Sequence, residues 1–315
     1  MPANRSNLTE SVSTHRKSTR RATRLIAVAI ALLWSAAAPA QDLVHFPSYE
    51  DNGPGRSSTV LDGYLLRPAA EGRHPAVIFL HGCGGLFMRG GLFGLFMRGA
   101  IEPGELDWAG QLTRRGYAVL MVDSFGPRNH GEMCSPSGFD LQLYRNRARD
   151  AYGALLFLQA QPFVRPDRVG VIGWSQGGGA VLFAIGTPSF ARPTQLPQGD
   201  FRAAVGFYPS SCDERQKPAS WTNAVPLLVL IGAEDVGIPA APCKLLLDGA
   251  ASRGGTVEMQ VYPGAYHHFD WPNLPRHELS FRTAGGDIRI EATDPAARQD
   301  ALSRVPAFLA RFLMN

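Results

Sequence analysis

A glycine-flanked serine on a sharp turn constrains this chain more than any other feature of its sequence. The segment Gly173 to Gly177 reads Gly-Trp-Ser-Gln-Gly, with an apolar strand-like run before it and a small apolar helix-like segment at 180–185 after it. A serine turned so sharply is strained, and its neighbours must be glycine because a Cβ would strike the adjacent strand and helix. The pattern predicts a nucleophile elbow, with Ser175 exposed above a sheet at the positive end of a helix.

Candidate acid and histidine partners for this serine lie downstream, each just past a predicted strand. Asp235 follows the apolar run 225–232, and His267 follows the run 257–262. Open α/β sheets gather their ligands at the carboxyl ends of strands, so the three side chains are expected to meet there. We expect His267 to accept the serine proton and Asp235 to orient the imidazole.

The sequence alone leaves alternatives for both partners. His268 and His277 also follow Asp235 in the chain, and Glu234 or Asp270 could replace it as the acid. Taken alone, the pentapeptide would also fit a glycine-rich turn after any buried strand, and it is the candidate partners downstream that favour the elbow.

Two backbone N–H groups are expected to bind an oxyanion formed at the serine. One is that of Gln176, which directly follows the predicted nucleophile. The other is that of Cys83, because the predicted strand 75–80 runs into the glycine-rich loop 81–85. We expect His81, at the start of that loop, to be a structural histidine bonded to backbone.

Five segments of the chain together resemble the dienelactone hydrolase family of α/β-hydrolases. They read Phe-Leu-His-Gly-Cys-Gly-Gly (79–85), Val-Asp-Ser-Phe-Gly-Pro-Arg (122–128), Gly-Trp-Ser-Gln-Gly-Gly (173–178), Leu-Ile-Gly-Ala-Glu-Asp (230–235) and Tyr-Pro-Gly-Ala-Tyr-His-His-Phe-Asp (262–270). The resemblance implies an α/β-hydrolase fold and hydrolase activity. Two departures stand out: Ser175 replaces the cysteine nucleophile of the enzymes that name the family, and His268 occupies a place that is usually glycine.

Candidate substrate-binding residues surround these motifs. Arg128 has the geometry to hold a substrate carboxylate, although a structural salt bridge is an equally good interpretation. Trp174 and Phe269 are expected to supply apolar walls, although an aromatic side chain is more often part of a core. Further aromatic candidates are Trp221, Tyr266 and Trp271.

The first 40 residues are expected to be a cleaved export signal rather than part of the fold. A basic segment precedes the short apolar run 25–34, and Ala38-Pro-Ala40 offers a cleavage site before Gln41. The pair Arg20-Arg21 suggests export by the twin-arginine route. This leader holds six of the 31 basic residues and one of the 27 acidic residues. The mature chain therefore has a net charge near zero and is expected to bind neither nucleic acid nor an anionic membrane.

Cysteine usage fits an exported protein. The four cysteines allow two disulfides, and we favour Cys212 with Cys243 because each follows a predicted strand at the same end of the sheet. Cys83 and Cys134 could form the second, while free buried thiols remain an alternative. No metal-binding motif is evident, and neither a metal nor another cofactor is expected.

Residues 41–315 are expected to form one domain, a mostly parallel, doubly wound sheet of eight strands flanked by helices, with no large lid domain. Predicted strands lie near 43–47, 59–67, 75–81, 117–123, 168–173, 202–208, 226–232 and 257–262. Predicted helices lie near 105–115, 139–160, 177–186, 240–253 and 294–313. A duplicated Gly-Leu-Phe-Met-Arg-Gly, at 85–90 and 94–99, follows the oxyanion loop. The segment 271–290 is expected to be a loop or short hairpin.

The sequence as a whole predicts a periplasmic or secreted serine hydrolase that cleaves a small or polymer-borne carboxylic ester through an acyl-enzyme on Ser175. A peptidase or amidase and an acyltransferase are alternatives on the same fold, and a non-catalytic binding protein is an alternative of another class. No stable membrane anchor is expected, and the sequence does not specify an oligomeric state.

Overall fold

The computed structural model describes residues 41–49, 58–88, 99–134, 139–189, 191–213, 216–283 and 285–315, and residues 38–315 form one compact unit. The strands are β1 (Asp42–Pro47), β2 (Val60–Leu66), β3 (His74–Leu80), β4 (Ala118–Asp123), β5 (Val164–Trp174), β6 (Gly186–Thr187), β7 (Ala203–Phe207), β8 (Thr222–Asn223), β9 (Leu227–Gly232), β10 (Val257–Tyr262), β11 (His277–Arg282) and β12 (Ile288–Glu291). The α-helices are α1 (Pro103–Thr113), α2 (Leu141–Gln159), α3 (Gln176–Ile185), α4 (Ala240–Ser252) and α5 (Pro295–Leu313).

Eight strands form the central sheet, in the order β1-β2-β4-β3-β5-β7-β9-β10. Pairing is antiparallel from β1 to β2 and from β2 to β4, and parallel across the rest of the sheet. The inner strands β3, β4, β7 and β9 are buried almost throughout, as expected for parallel strands covered on both faces. The predicted mostly parallel eight-stranded sheet is therefore confirmed.

Two of the helices begin at an aspartate whose side chain accepts from their first N–H groups. Asp140 caps α2 by accepting from the N–H groups of Gln142 and Leu143, and Asp294 caps α5 by accepting from that of Ala297. Helix α3 is buried along its whole length against α2 and β5, so the turn that leads into it lies at the centre of the fold.

A hairpin of β11 and β12 stands apart from the central sheet. The hairpin alternative for 271–290 is thus the observed one. Residue 292 ties it to the turn after β10, because the N–H of Ala292 donates to the carbonyl of His267 at 3.1 Å. The polar, half-exposed strands of this hairpin gave only a weak signal in the sequence.

Two disulfides join Cys212 to Cys243, the pairing that the sequence favoured, and Cys83 to Cys134, the second pairing that it allowed. Cys243 lies in α4, within the helix expected near 240–253. None of the helices in the described ranges is both long and apolar enough to cross a bilayer. The leader 1–40 and most of the duplicated segment fall outside the described residues.

Candidate active site

Ser175 occupies the tight turn between β5 and α3. Its backbone has φ 52° and ψ −114°, a conformation that non-glycine residues rarely adopt. A Cβ on Gly173 would lie 2.3 Å from the carbonyl oxygen of Gly177, and a Cβ on Gly177 would lie 2.0 Å from that of Leu80. Both flanking positions therefore require glycine, as the predicted elbow does.

Asp235 and His267 meet as a buried pair. Nδ1 of His267 lies 2.5 Å from Oδ2 of Asp235, and each residue is less than 5% exposed. The other oxygen of this carboxylate accepts from the N–H groups of Gly237 and Ile238, at 3.0 and 2.9 Å. These two bonds hold the Asp235 carboxylate in place. The carboxylate in turn sets the tautomer of His267, because an imidazole that donates from Nδ1 presents a lone pair at Nε2.

The rival partners are engaged elsewhere or are exposed. Nδ1 of His268 and Nε2 of His277 lie 3.2 and 3.3 Å from the carboxylate of Glu291. Asp270 accepts hydrogen bonds from two tryptophans and a tyrosine, and Glu234 is exposed at the surface. Among these candidate acids and histidines, the structure brings together Asp235 and His267.

His268 takes the left-handed conformation, with φ 59°, which explains why glycine is usual at this place in the motif. Its ring stacks on Trp271 with centroids 4.2 Å apart. Burial alone would lower the pKa of His268, but the Glu291 carboxylate raises it above its ordinary value. Burial would likewise raise the pKa of Glu291, but the neighbouring His268 outweighs it and the pKa falls to about 2.

The glycine-rich loop after β3 passes beside the serine. A Cβ on Gly82 would lie 3.9 Å from that of Ser175, so the N–H of Cys83 belongs to the segment next to the predicted nucleophile. The Cys83–Cys134 disulfide and a bond from the N–H of Met133 to the carbonyl of Cys83, at 2.9 Å, anchor this loop.

Buried Arg147 contacts both segments that carry the predicted oxyanion donors: the loop 81–85 and Gln176. Its guanidinium donates to the carbonyl of His81 and, at 2.9 Å, to the side chain of Gln176. Burial lowers the pKa of Arg147 to about 10, which leaves it charged at neutral pH. The sequence gave no sign of this role, because Arg147 lies in mid-helix on α2. The ring of His81 is buried and accepts from the N–H of Ser124, consistent with the structural histidine that we expected.

A pocket of about 350 Å³ is lined by both Ser175 and His267. Trp174 and Trp271 contribute to its wall, but Arg128 and Phe269 do not. Arg128 forms a two-bond ion pair with buried Asp150, at 2.8 and 2.9 Å, which is the structural alternative for this residue. Phe269 does not line the pocket: it is fully buried in the core, with its ring centroid 4.9 Å from that of Tyr262, so its expected place at the site was wrong.

A second cavity, of about 260 Å³, shares part of its lining with the first. Ser175, Cys83 and Arg289 line both cavities, while Tyr144, Ser210 and Ile238 line the second alone. Ser175 therefore borders two cavities.

One group in the described part of the chain has the side chains to hold a metal ion. It comprises His267, His268 and Glu291, whose ligand atoms lie within 4.8 Å of one another. Within this group, Nδ1 of His267 lies 2.5 Å from Asp235, and Nδ1 of His268 lies 3.2 Å from Glu291.

Comparison with known proteins identifies the family. The family model for dienelactone hydrolases matches residues 61–313. A Bradyrhizobium protein named "Probable 2-oxo-3-(5-oxofuran-2-ylidene)propanoate lactonase" is 26% identical over 220 residues, which cover 65% of this chain and 77% of that protein.

Solved structures share the fold at low sequence identity. Dienelactone hydrolase from Anabaena variabilis superposes with a TM-score of 0.55 at 19% identity, covering 88% of this chain and 99% of that one. Esterase 2 from Thermogutta terrifontis, phosphorylated by paraoxon, gives a TM-score of 0.58 at 17% identity, with coverage of 87% and 95%. The fold is thus the α/β-hydrolase fold, and the chain belongs to the dienelactone hydrolase family.

Proposed function

We propose that this protein is a serine hydrolase that cleaves carboxylic esters through an acyl-enzyme on Ser175. The observation that carries the proposal is the buried hydrogen bond between His267 and Asp235, at the pocket that Ser175 lines. The bond leaves Nε2 of His267 as a proton acceptor, and the strained elbow exposes the serine oxygen to the same pocket. The two cavities that Ser175 borders suit a substrate with a group on each side of a scissile bond.

In the proposed reaction, the Ser175 oxygen attacks the ester carbon while Nε2 of His267 takes its proton. The N–H groups of Gln176 and Cys83 stabilise the resulting oxyanion, an effect worth roughly 100- to 1000-fold in rate per donor. The intermediate expels the alcohol, which receives the proton from His267, and leaves the acyl group on the serine. Water then attacks the acyl-enzyme, with His267 as base, and releases the carboxylic acid.

The test is turnover of short-chain p-nitrophenyl esters together with labelling by a fluorophosphonate. Loss of both in Ser175→Ala, with both retained in the surface variant Ser252→Ala, supports the proposal. Asp235→Asn is expected to lower kcat by about 10⁴-fold, because the imidazole loses its oriented tautomer. A folded wild type that neither turns over nor labels would favour a binding protein. Turnover of amides in preference to esters would favour a peptidase or amidase.

Export is the second part of the proposal. The two disulfides support it, because such bonds persist in oxidising compartments outside the cytoplasm. The test is N-terminal sequencing of protein recovered from the periplasm or medium, which is expected to begin at Gln41. Recovery of the uncleaved chain from the cytoplasm would overturn this part.

A further inference from the structure

The wall of the pocket contains an acid that the proposed mechanism does not use. Glu105 lies in the first turn of α1 and lines the pocket together with Ser175 and His267. It is 2% exposed, and its Oε2 has no hydrogen-bond partner among the described residues. A buried polar atom without a partner is costly, so a ligand that supplies the missing bond would be favoured.

Trp271, in the histidine turn, also lines the pocket and also carries an unpartnered polar atom. Its Nε1 has no acceptor within the described part of the chain. The indole packs against the residue that precedes Glu105, since a Cβ on Gly104 would be 2.4 Å from Nε1. One N–H donor and one carboxyl, each lacking a partner, therefore belong to side chains of the same pocket wall.

The charge state of Glu105 limits which ligand groups can bind to it. Burial, reinforced by the nearby charge of Glu102, raises the pKa of Glu105 to about 8. The group is then a neutral carboxylic acid at pH 7, offering one O–H donor and one carbonyl acceptor. An alcohol hydroxyl complements this pair, because it can donate to the acid and accept from the indole N–H. A neutral acid provides no countercharge for a buried ammonium group.

We infer that Glu105 and Trp271 form a subsite for a hydroxyl group of the substrate, so that hydroxylated esters are preferred over hydrocarbon esters of the same size. This inference rests on the proposed ester hydrolysis and names its substrate class. Recognition requires no covalent step: the substrate hydroxyl donates to Glu105 and accepts from Trp271 while the ester carbonyl lies at Ser175.

The test compares esters that differ by a hydroxyl in place of a methyl group. Ethylene glycol monobutyrate is paired with propyl butyrate, and methyl β-hydroxybutyrate with methyl isovalerate, so that the hydroxyl is presented from either side of the ester. Acid release is followed by pH-stat titration. The readout is the kcat/KM of the hydroxylated ester divided by that of the hydrocarbon ester in the same pair. In at least one pair the ratio is expected to fall about 3- to 10-fold in Glu105→Met, the worth of one hydrogen bond. Glu105→Gln, which keeps a donor and an acceptor, is expected to retain it.

Two further variants keep the outcome clear. Glu71→Met, on an exposed loop between β2 and β3, makes the same change outside the pocket and is expected to keep the wild-type ratio. If Glu105→Met does not fold, Trp271→Phe removes the indole N–H while keeping an aromatic ring, and it is expected to lower the ratio. Ratios that are the same in wild type and in the pocket variants would overturn the inference. So would a stronger preference for butyrylcholine or for methyl hydrogen succinate, which carry a cation or an anion.

Failure of the proposed hydrolysis is distinguishable from failure of the subsite. If wild type hydrolyses none of these esters, their binding to Ser175→Ala is measured by ligand-observed NMR. Tighter binding of the hydroxylated member, lost in Ser175→Ala/Glu105→Met, supports the subsite without turnover. Equal binding of both members of each pair overturns it.

Discussion

Replacing Glu105 by glutamine is expected to change how stability depends on pH. The folded protein holds this carboxyl with a pKa of about 8, and an unfolded chain exposes it with a pKa of 4.5. Between these values the folded state binds more protons than the unfolded state. The free energy of unfolding therefore falls as pH rises through the window from about 4.5 to 8. Glutamine does not titrate, so the Glu105→Gln variant does not lose free energy of unfolding in this way.

The size of the effect follows from the difference between the two pKa values. Each unit corresponds to about 1.4 kcal/mol, so the loss at pH 8 is at most about 5 kcal/mol. Urea unfolding of wild type and Glu105→Gln from pH 5 to 8 measures it. The variant is expected to differ little at the acidic end and to become progressively more stable than wild type toward pH 8.

Subtracting the two curves isolates Glu105 from other titrating groups. Burial lowers the pKa of Lys217 to about 7, so this lysine makes stability rise between about pH 7 and 10.5, in both proteins alike. Its contribution cancels in the difference. Two parallel curves with a constant offset would refute the reasoning, since they would mean that Glu105 ionises equally easily in both states.

Three further predictions test other parts of the structure. Gly177→Ala should abolish activity and cost several kcal/mol of stability, because its Cβ would lie 2.0 Å from a carbonyl oxygen; Gly285→Ala, between β11 and β12, where the nearest atom would be 3.4 Å away, is the matched control for thermal unfolding and turnover. Replacing Cys83 and Cys134 together by serine should lower kcat more than it raises KM, because the loop that carries an oxyanion donor loses its anchor; unchanged kinetics in a folded variant would contradict this. Lys217→Met should raise the unfolding free energy near pH 6 relative to wild type, with the gap shrinking as pH rises toward 10; a gap independent of pH would argue against a buried, uncharged lysine.

The elements of the fold could be predicted because their signals are local. The buried strands are continuous apolar runs that end at glycine or polar residues, and the eight predicted strands correspond to the eight of the central sheet. The elbow was evident because Gly173 and Gly177 must be glycine for steric reasons that hold in any chain of this fold. These constraints act within a few residues, so the sequence carries them directly.

Features that depend on how distant elements pack could not be predicted in the same way. Phe269 and Trp271 are two residues apart in one turn, yet the first lies in the core and the second lines the pocket. Glu105 faces the pocket because of the rotation of α1 about its own axis, which the sequence does not specify. Arg147 reaches the oxyanion loop only because α2 packs behind it.

Asp270 shows how a residue that looked like a rival to the predicted acid can support the site in another way. Its buried carboxylate accepts from the indole N–H groups of Trp108 and Trp174, at 2.8 and 2.9 Å, and from the hydroxyl of Tyr208 at 2.7 Å. Trp174 directly precedes the serine, and the ring of Tyr208 lies 4.3 Å from that of His267. One carboxylate thus fixes side chains on both sides of the elbow, on β5 and after β7. All three donors are neutral, and both oxygens of Asp270 are engaged by them, while the imidazole of His267 pairs with Asp235.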